Sequence, residues 1–253
     1  MRGITAAGFA AVLIGLGLVG VSSVSAADQL WQRAVAAYPE SQEWVPFEYE
    51  VEQQQFNGRE QLISHSVTVS RLRPDGEGGW EPEIVRERVL EGDADQRSPF
   101  GGPGEEGDGE DSGAERFAAV SANPLDPRMQ ERVSVARIGR RRAPCGAAAI
   151  LYEFEIRPHE DARAHGEVWL AADSGMLLRI ERTVEPPMMA VKSFSVIETY
   201  EPQGDHWIST AMHFDVTGRL LFVERQVDIR MELREHRHEP EVAEALQAQR
   251  NAR

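Results

Sequence analysis

The sequence predicts a mainly β protein of the α+β class. We expect a curled antiparallel sheet that forms a half-open barrel, with short helices as its lid or plug. Three observations lead to this prediction. Polar and apolar side chains alternate in many short runs, the runs are separated by Gly-, Asn- and Asp-containing turns, and 41% of the residues are hydrophobic, which is enough for a core. A sheet of nine or ten such strands is too large to stay flat, so it should curl.

The clearest alternation lies in residues 219–233. One parity is apolar and comprises Leu221, Val223, Val227, Ile229, Met231 and Leu233. The other parity carries Glu224, Gln226, Asp228, Arg230 and Glu232. Because successive side chains of a strand point to opposite faces, this pattern predicts one dry and one solvated face. The Thr217-Gly218 pair is the predicted turn into this strand.

A helix and a hairpin are predicted at the start of the domain. Residues 28–38 place apolar side chains at helical spacing, Asp28 is a candidate N-cap, and Pro39 is expected to end the helix. Residues 47–56 then alternate, and Asn57-Gly58 predicts a two-residue hairpin turn. The remaining predicted strands are 61–72, 83–90, 133–138, 148–157, 167–171, 177–184, 191–200 and 207–216.

The chain divides into a signal peptide (residues 1–26), a single curled β-sheet domain (27–235) and a charged tail (236–253). Within the domain, residues 91–115 are rich in Gly, Asp and Glu and nearly empty of large apolar side chains. This composition predicts a solvated, disordered insertion. An EF-hand calcium loop starting at Asp108 is excluded, because Ala119 stands at the twelfth position, where that loop needs Glu.

The first residues have the pattern of an export signal. Arg2 is followed by an apolar stretch and by Val24-Ser25-Ala26, a small-x-small cleavage pattern, so cleavage is expected after Ala26 or Ala27. An uncleaved membrane anchor is the alternative, but the apolar stretch is short for a membrane span. We therefore expect an exported, soluble protein in a bacterial periplasm that does not span the membrane after cleavage.

Charge and motifs exclude several function classes. A formal charge of −15 disfavours nucleic acid as a partner. The sequence has no GxSxG elbow, HExxH motif, P-loop or dinucleotide-binding glycine motif. Cys145 is the only cysteine, so no disulfide can form within the chain. We expect no enzymatic activity, no catalytic residue, no cofactor and no metal site.

The remaining candidate for a functional site is the apolar concave face. The side chains expected to line it are Phe47, Tyr49, Tyr152, Phe154, Phe194, Met212, Phe214 and Met231. A rim loop is expected at Pro186, Pro187, Met188 and Met189. Two interpretations stay open at this point: a cavity that encloses an apolar ligand, or a packed core beneath the helices.

One family resemblance supports the first interpretation. The stretch at residues 166–175 reads Gly-Glu-Val-Trp-Leu-Ala-Ala-Asp-Ser-Gly, and Met-Leu-Leu-Arg, the Pro186 region, Val191-Lys-Ser-Phe194, Tyr200 and Trp207 follow. This pattern of turns and aromatics resembles the outer-membrane lipoprotein-sorting (Lol carrier-like) proteins of the bacterial periplasm. The resemblance implies an unclosed β-barrel with a helical lid and an interior that holds lipid acyl groups.

Two functions follow as hypotheses. The first is a non-catalytic periplasmic carrier or sensor whose partner is lipid, lipoprotein acyl chains or another apolar ligand. The second is an envelope scaffold or regulatory interaction module with the same fold, no ligand cavity and an envelope protein as its partner.

Overall fold

Residues 28–76, 79–92, 122–159, 162–185, 191–220 and 223–252 are described by a computed structural model. In this part of the chain, ten antiparallel strands form one sheet that is not closed into a barrel, with a few short helices against it. The predicted fold class is therefore confirmed. The strands, numbered in chain order, are β1 (Trp44–Asn57), β2 (Leu62–Pro74), β3 (Trp80–Glu91), β4 (Val133–Arg142), β5 (Ala148–His159), β6 (Ala162–Ala171), β7 (Leu177–Glu185), β8 (Val191–Gln203), β9 (His206–Leu220) and β10 (Val223–His238).

The sheet consists of two meanders that meet at its middle. Its strand order is β3-β2-β1-β10-β9-β8-β7-β6-β5-β4. Strands that are neighbours in the sheet are therefore consecutive in sequence, except β1 and β10, and the consecutive strands β3 and β4 lie at opposite edges. Tyr49 lies opposite Leu233, and Val51 lies opposite Met231. This register places the apolar parity of β1 on the same face as the apolar parity of β10.

Three helices accompany the sheet in the described ranges: α1 (Gln29–Gln42), a 3₁₀ helix (Pro127–Arg132) and α2 (Pro240–Ala252). The prediction that Pro39 ends the first helix is wrong, because α1 contains Pro39 and runs on to Gln42. A proline inside a helix removes one backbone hydrogen-bond donor. Other donors can still bond the carbonyl groups of the last helical turn. Here the Ser41 hydroxyl donates to the Ala37 carbonyl at 3.1 Å, and the Glu43 N–H donates to the Glu40 carbonyl at 3.2 Å.

Two predicted turns differ from the structure. The β1–β2 loop is wider than the two residues expected at Asn57-Gly58, because Asn57 Oδ1 accepts from the N–H groups of Arg59 and Gln61 and the positive φ falls on Glu60. The turn predicted at Thr217-Gly218 is also wrong, because both residues belong to β9. Strand pairing continues there, with Gly218 opposite Arg225 and Leu220 opposite Val223. Leu221 lies outside the described residues.

Residues 236–252, which the sequence assigns to a charged tail, form the end of a strand and a helix. Strand β10 extends to His238, and α2 follows it. Val242 is buried, and it packs with the buried side chains of Val45, Phe47 and Leu72. The helical spacing of Val242, Ala243 and Leu246 gives α2 an apolar face that this second, smaller core covers.

Several predictions lie outside the described residues. These are the signal peptide, most of the acidic insertion and the rim loop Pro186, Pro187, Met188 and Met189. None of the helices in the described ranges combines the length and apolarity needed to cross a lipid bilayer.

Strand β3 is an edge strand with large apolar side chains in solvent. Ile84 is 61% exposed and Leu90 is 49% exposed, and Val85 and Val89 are exposed as well. In the described residues, no strand pairs with the outer edge of β3. The charges at Arg86, Glu87 and Arg88 fit a known way of preventing edge-to-edge association.

Removing these charges should cause association. We expect the double change Arg86→Val and Arg88→Val to produce concentration-dependent aggregates, because it leaves Glu87 as the single charge between Ile84 and Leu90 on an open edge. Light scattering and size-exclusion chromatography would measure it. Arg157→Val on the interior strand β5 is the control and should stay monodisperse. Equal behaviour of the two proteins would contradict a protective role of the β3 charges.

At Gly166, strands β6 and β7 lie so close together that there is no room for a side chain. A Cβ atom at this position would lie 1.8 Å from the Glu181 carbonyl oxygen, which is backbone and cannot move aside cheaply. We expect Gly166→Ala to lower the free energy of unfolding by about 3 kcal/mol, measured by urea denaturation. Gly146→Ala is the control. Gly146 has φ +89°, and a Cβ atom added there would meet no atom of another residue within 4 Å, apart from its two chain neighbours. It should cost only the backbone strain, about 1–2 kcal/mol.

Candidate functional site

Helix α1 covers one half of the inner face, which we define as the face of the sheet that carries the helices. Leu30, Trp31, Ala34 and Val35 of α1 are buried in the main core. The buried partners come from the segment before the 3₁₀ helix and from five strands, and they are Leu125, Ile150, Tyr152, Phe154, Ile156, Ala164, Val168, Leu170, Leu177, Ile180, Val184, Val196, Tyr200 and Trp207. Under α1, the inner face is therefore a packed core.

Polar bonds fix the position of α1 on this core. Asp28 caps the helix, since its Oδ1 accepts from the N–H groups of Leu30 at 3.0 Å and Trp31 at 3.4 Å. The same oxygen accepts from the Tyr152 hydroxyl at 3.0 Å, and Arg137 lies 3.4 Å from the other carboxylate oxygen. Burial raises the pKa of the Tyr152 phenol, and the bond to Asp28 raises it further. One carboxylate thus joins α1 to β4 and β5.

The aromatic side chain of Trp31 links α1 to the 3₁₀ helix. Its ring centroid lies 5.3 Å from that of Tyr152, and its Nε1 donates to Gln130 Oε1 at 3.2 Å. The Gln130 amide in turn donates to the carbonyls of Pro124 at 2.8 Å and Asp126 at 3.0 Å. These contacts make α1 and the segment around the 3₁₀ helix one unit.

A buried ion pair lies among these apolar side chains. Arg182 of β7 donates to Glu198 of β8, and the two residues are only 5% and 7% exposed. Arg182 also donates to the Ala122 carbonyl at 2.8 Å, and the Tyr200 hydroxyl donates to the other oxygen of Glu198. Burial raises the pKa of the Tyr200 phenol, and the neighbouring Glu198 carboxylate adds to the rise. The phenol therefore stays neutral and acts as a donor.

The sequence contained a signal for this cluster that the strand prediction did not use. Arg182 has the parity of Ile180 and Val184, and Glu198 has the parity of Val196 and Tyr200. A charged residue on the apolar parity of a strand points to the buried face of the sheet. Its side chain is therefore either buried with the apolar side chains or lies where that face is open to solvent. Two opposite charges in this position on adjacent strands predict a buried pair.

Between α1 and α2 lies a strip of the inner face that is only half-buried. It is formed by β8, β9 and β10, and we call it the apolar strip: Phe194, Met212, Phe214, Ile229 and Met231. Met212 lies opposite Met231, and Phe214 opposite Ile229. The rings of Phe194 and Phe214 are 6.4 Å apart, centroid to centroid. The strip is therefore contiguous and open to solvent in part.

The eight side chains expected to line a cavity fall into three environments. Tyr152 and Phe154 are buried in the main core beneath α1. Phe47 is buried in the smaller core beside α2, and Tyr49 packs partly against that core. Phe194, Met212, Phe214 and Met231 belong to the half-buried apolar strip. Phe194, Met212 and Phe214 also pack partly against the main core, and Tyr49 is half-buried like the strip. The role of the eight side chains in binding stays a prediction.

Two further kinds of site concern metal ligands and the single thiol. In the ranges that the structure describes, no three or more His, Cys, Asp or Glu side chains come together as a metal site. Cys145 is exposed in the turn between β4 and β5.

The comparisons with known proteins concern the fold. No protein-family model and no curated protein matches the sequence. The structure is similar to an outer membrane lipoprotein-sorting protein domain from Vibrio parahaemolyticus, with 10% identity and a TM-score of 0.37 over 81% of this chain and 91% of that one. It is similar to a DUF1329 family protein from Desulfovibrio piger, with 12% identity, a TM-score of 0.32 and the same coverages. It is also similar to the Pseudomonas aeruginosa MucA/MucB complex, with 11% identity and a TM-score of 0.22 over 81% of this chain and 93% of that one. The family that the sequence resembles is thus among its structural neighbours.

Breaking the buried ion pair on one side should cost more than removing both partners. We expect Arg182→Met alone to lower the free energy of unfolding by about 3–5 kcal/mol, because Glu198 is left charged and unpaired in the core. Arg182→Met combined with Glu198→Met should cost less than the single change, since no charge then remains. Urea denaturation of both variants would test this. A double variant that is less stable than Arg182→Met would contradict the pairing.

Proposed function

We propose that this protein is a non-catalytic carrier or sensor that binds lipid, lipoprotein acyl chains or another apolar ligand on the apolar strip. One observation supports the proposal most strongly. Five large apolar side chains form a contiguous strip that is half-buried, whereas their neighbours under α1 and α2 are buried. An apolar strip between two covered regions offers a ligand a surface that is already partly desolvated.

The composition of the strip suits acyl chains. Two of its five side chains are Met, whose flexible thioether adapts to chains of different shape. Each CH₂ group that moves from water to such a surface contributes about 0.8 kcal/mol. A ten-carbon segment would thus contribute about 8 kcal/mol, from which the cost of ordering the chain is subtracted.

The absence of catalysis is part of the proposal. On the inner face, Arg182 and Glu198 are bonded to each other and buried, so neither is presented to a ligand. The proposal also assigns the protein to the periplasm, since the sequence predicts an export signal at residues 1–26.

A scaffold or regulatory module of the envelope is the second candidate function. The exposed apolar side chains of β3 favour it, because an open edge strand is a template for an added strand from a partner protein. In that case the apolar strip would take up no ligand.

A variant in the strip distinguishes the two candidates. We expect Met231→Asn to weaken binding of a fluorescent fatty-acid probe by about 10-fold or more, because a polar amide replaces apolar contact area. Native mass spectrometry of the protein purified from cells would in addition show a bound apolar molecule.

The control is Ile138→Asn, which makes the same change at an exposed apolar side chain of β4. It should leave the affinity for the probe unchanged. A wild-type protein that neither takes up the probe nor retains a molecule from cells would overturn the carrier proposal and favour the scaffold.

A further inference from the structure

We propose that the ligand of the apolar strip is an anionic amphiphile, namely an acyl chain with a carboxylate or phosphate head group that Arg225 and Gln55 bind. This inference rests on the proposed function and specifies its ligand class. The apolar strip supplies the surface for the acyl chain, and the two polar side chains supply the donors for the head group.

The strand register places Arg225 and Gln55 next to each other at one end of the strip. Gln55 lies opposite Val227, and Arg225 lies opposite Asn57 on the same pair of strands. Residues two apart on a strand share a face, so Arg225 continues the inner-facing row of Val227 and Ile229. Diagonal neighbours of this kind are about 7–8 Å apart, which long side chains can span. One anion can therefore contact both groups.

Arg225 is a half-buried cation that has no partner in the part of the chain that the structure describes. There, no carboxylate pairs with its guanidinium and no hydrogen bond occupies it. Two other inward-facing arginines each have an acid: Arg182 donates to Glu198, and Arg237 lies 3.4 Å from Glu235. A cation that is partly removed from water is unfavourable unless an anion pairs with it. The head group of a ligand would supply that anion.

The polar neighbours of Arg225 along β10 have partners of their own. Glu224 and Gln226 point to the opposite face of the sheet, because they have the other parity. On that face Glu224 lies 2.8 Å from Lys192, and Gln226 donates to Asp215 at 2.9 Å. Neither residue is therefore available to neutralise the guanidinium on the inner face.

The residues opposite Arg225 on the two adjacent strands also leave the guanidinium unpaired. Gly218 of β9 has no side chain. Asn57 of β1 uses its side chain within its own loop, where Nδ2 donates to Gln61 Oε1 at 3.0 Å and Oδ1 accepts from the Gln61 N–H at 3.1 Å. An incoming anion would thus have no competitor among these residues.

Gln55 is the second, independent indication of a ligand at this position. The residue is 3% exposed, and its Nε2 is buried without a hydrogen-bond partner. Buried donors are usually paired in a folded protein. An anionic oxygen is the acceptor that would stabilise this donor most, because charge-assisted hydrogen bonds are the stronger ones. Since the amide has almost no exposed surface, a neighbouring side chain must move on binding, and the long side chain of Arg225 lies beside it.

The charge of the whole chain makes this local cation decisive. A formal charge of −15 repels anions at long range. At physiological ionic strength such repulsion is screened beyond about 8 Å, whereas a partly buried pair in contact is screened much less. The guanidinium fork of an arginine also matches two oxygens of a carboxylate or phosphate. Binding of an anionic head group therefore depends on Arg225.

Three amphiphiles that differ in the head group test the inference. Displacement of the neutral probe N-phenyl-1-naphthylamine would be measured with laurate, dodecyl phosphate and monolaurin, whose chains are of similar length. We expect both anions to bind about 10-fold tighter than the uncharged monolaurin. The tighter of the two anions would distinguish a fatty acid from a phospholipid-like ligand.

Three variants address the proposed contacts. In Arg225→Met and in Gln55→Leu, the affinity for both anions should fall about 10-fold, because each variant removes a donor to the charged oxygens. The affinity for monolaurin and for the probe should not change. Arg225→Lys should retain most of the preference for anions, since it keeps the positive charge.

Arg230→Met is the matched control. Arg230 lies on the same strand as Arg225, but it points to the opposite face, 3.2 Å from Asp228. This variant removes the same charge from the chain and should bind the probe and all three amphiphiles as the wild type does.

The outcomes separate this inference from the proposed function. If monolaurin competes as well as the anions, or if Arg225→Met and Arg230→Met weaken anion binding equally, the anionic head group is overturned and the apolar site stands. If Arg225→Met also loses the probe, Arg225→Lys decides: a retained preference for anions supports the inference, and a lost preference overturns it. If the wild type binds neither the probe nor any amphiphile, the proposed function itself fails, and the inference fails with it.

Discussion

The pairing of β1 with β10 is the interaction on which the rest of the molecule depends. It joins the meander β1–β3 to the meander β4–β10, and every other strand pair connects neighbours in sequence. Without it, β1–β3 would be a three-stranded piece with little core of its own. The pairing also sets the register that aligns Met231 with Val51 and Ile229 with Gln53. The placement of Gln53 beside Ile229 of the apolar strip is thus a product of the contact between the two meanders.

The two sides of the inner face differ in how firmly they are covered. On the side of β5–β9, α1 is held by Asp28, Trp31 and the packed core beneath it. On the side of β1–β3, α2 rests on a smaller core through Val242, Ala243 and Leu246. Because fewer buried contacts make local opening less costly, α2 should open more readily than α1. In a protein that takes up a ligand, entry beside α2 would therefore disturb the fold least.

Much of the fold could be predicted from alternation and turn residues. Local patterns locate the strands because parity is a property of each strand alone, and Asp28 is recognisable as an N-cap from its own helix. Other features depend on residues far apart in the sequence. The partner of β1, the helical continuation after Pro39 and the extension of β9 through Gly218 are decided by pairing and packing, which a local pattern does not contain.

The same distinction applies to the candidate site. Phe194, Met212, Phe214 and Met231 were expected on the inner face from their parity, but parity does not tell which of them a helix covers. Tyr152 and Phe154 have the same kind of pattern and lie in the packed core. Gln53 and Gln55 were part of an alternating strand, yet their position beside the apolar strip follows only from the β1–β10 register. Arg182 and Glu198 could have been found from sequence, because each breaks the apolar parity of its strand.

Cys145 has a practical consequence for spectroscopy. The sequence contains one cysteine, and its side chain is exposed in the turn between β4 and β5, at the opposite edge of the sheet from β3. A thiol-reactive dye or spin label would therefore attach at a single position in the native sequence. A second label introduced on β3 would report the distance between the two sheet edges directly. Such a pair would show whether the curvature of the sheet changes when the inner face is occupied.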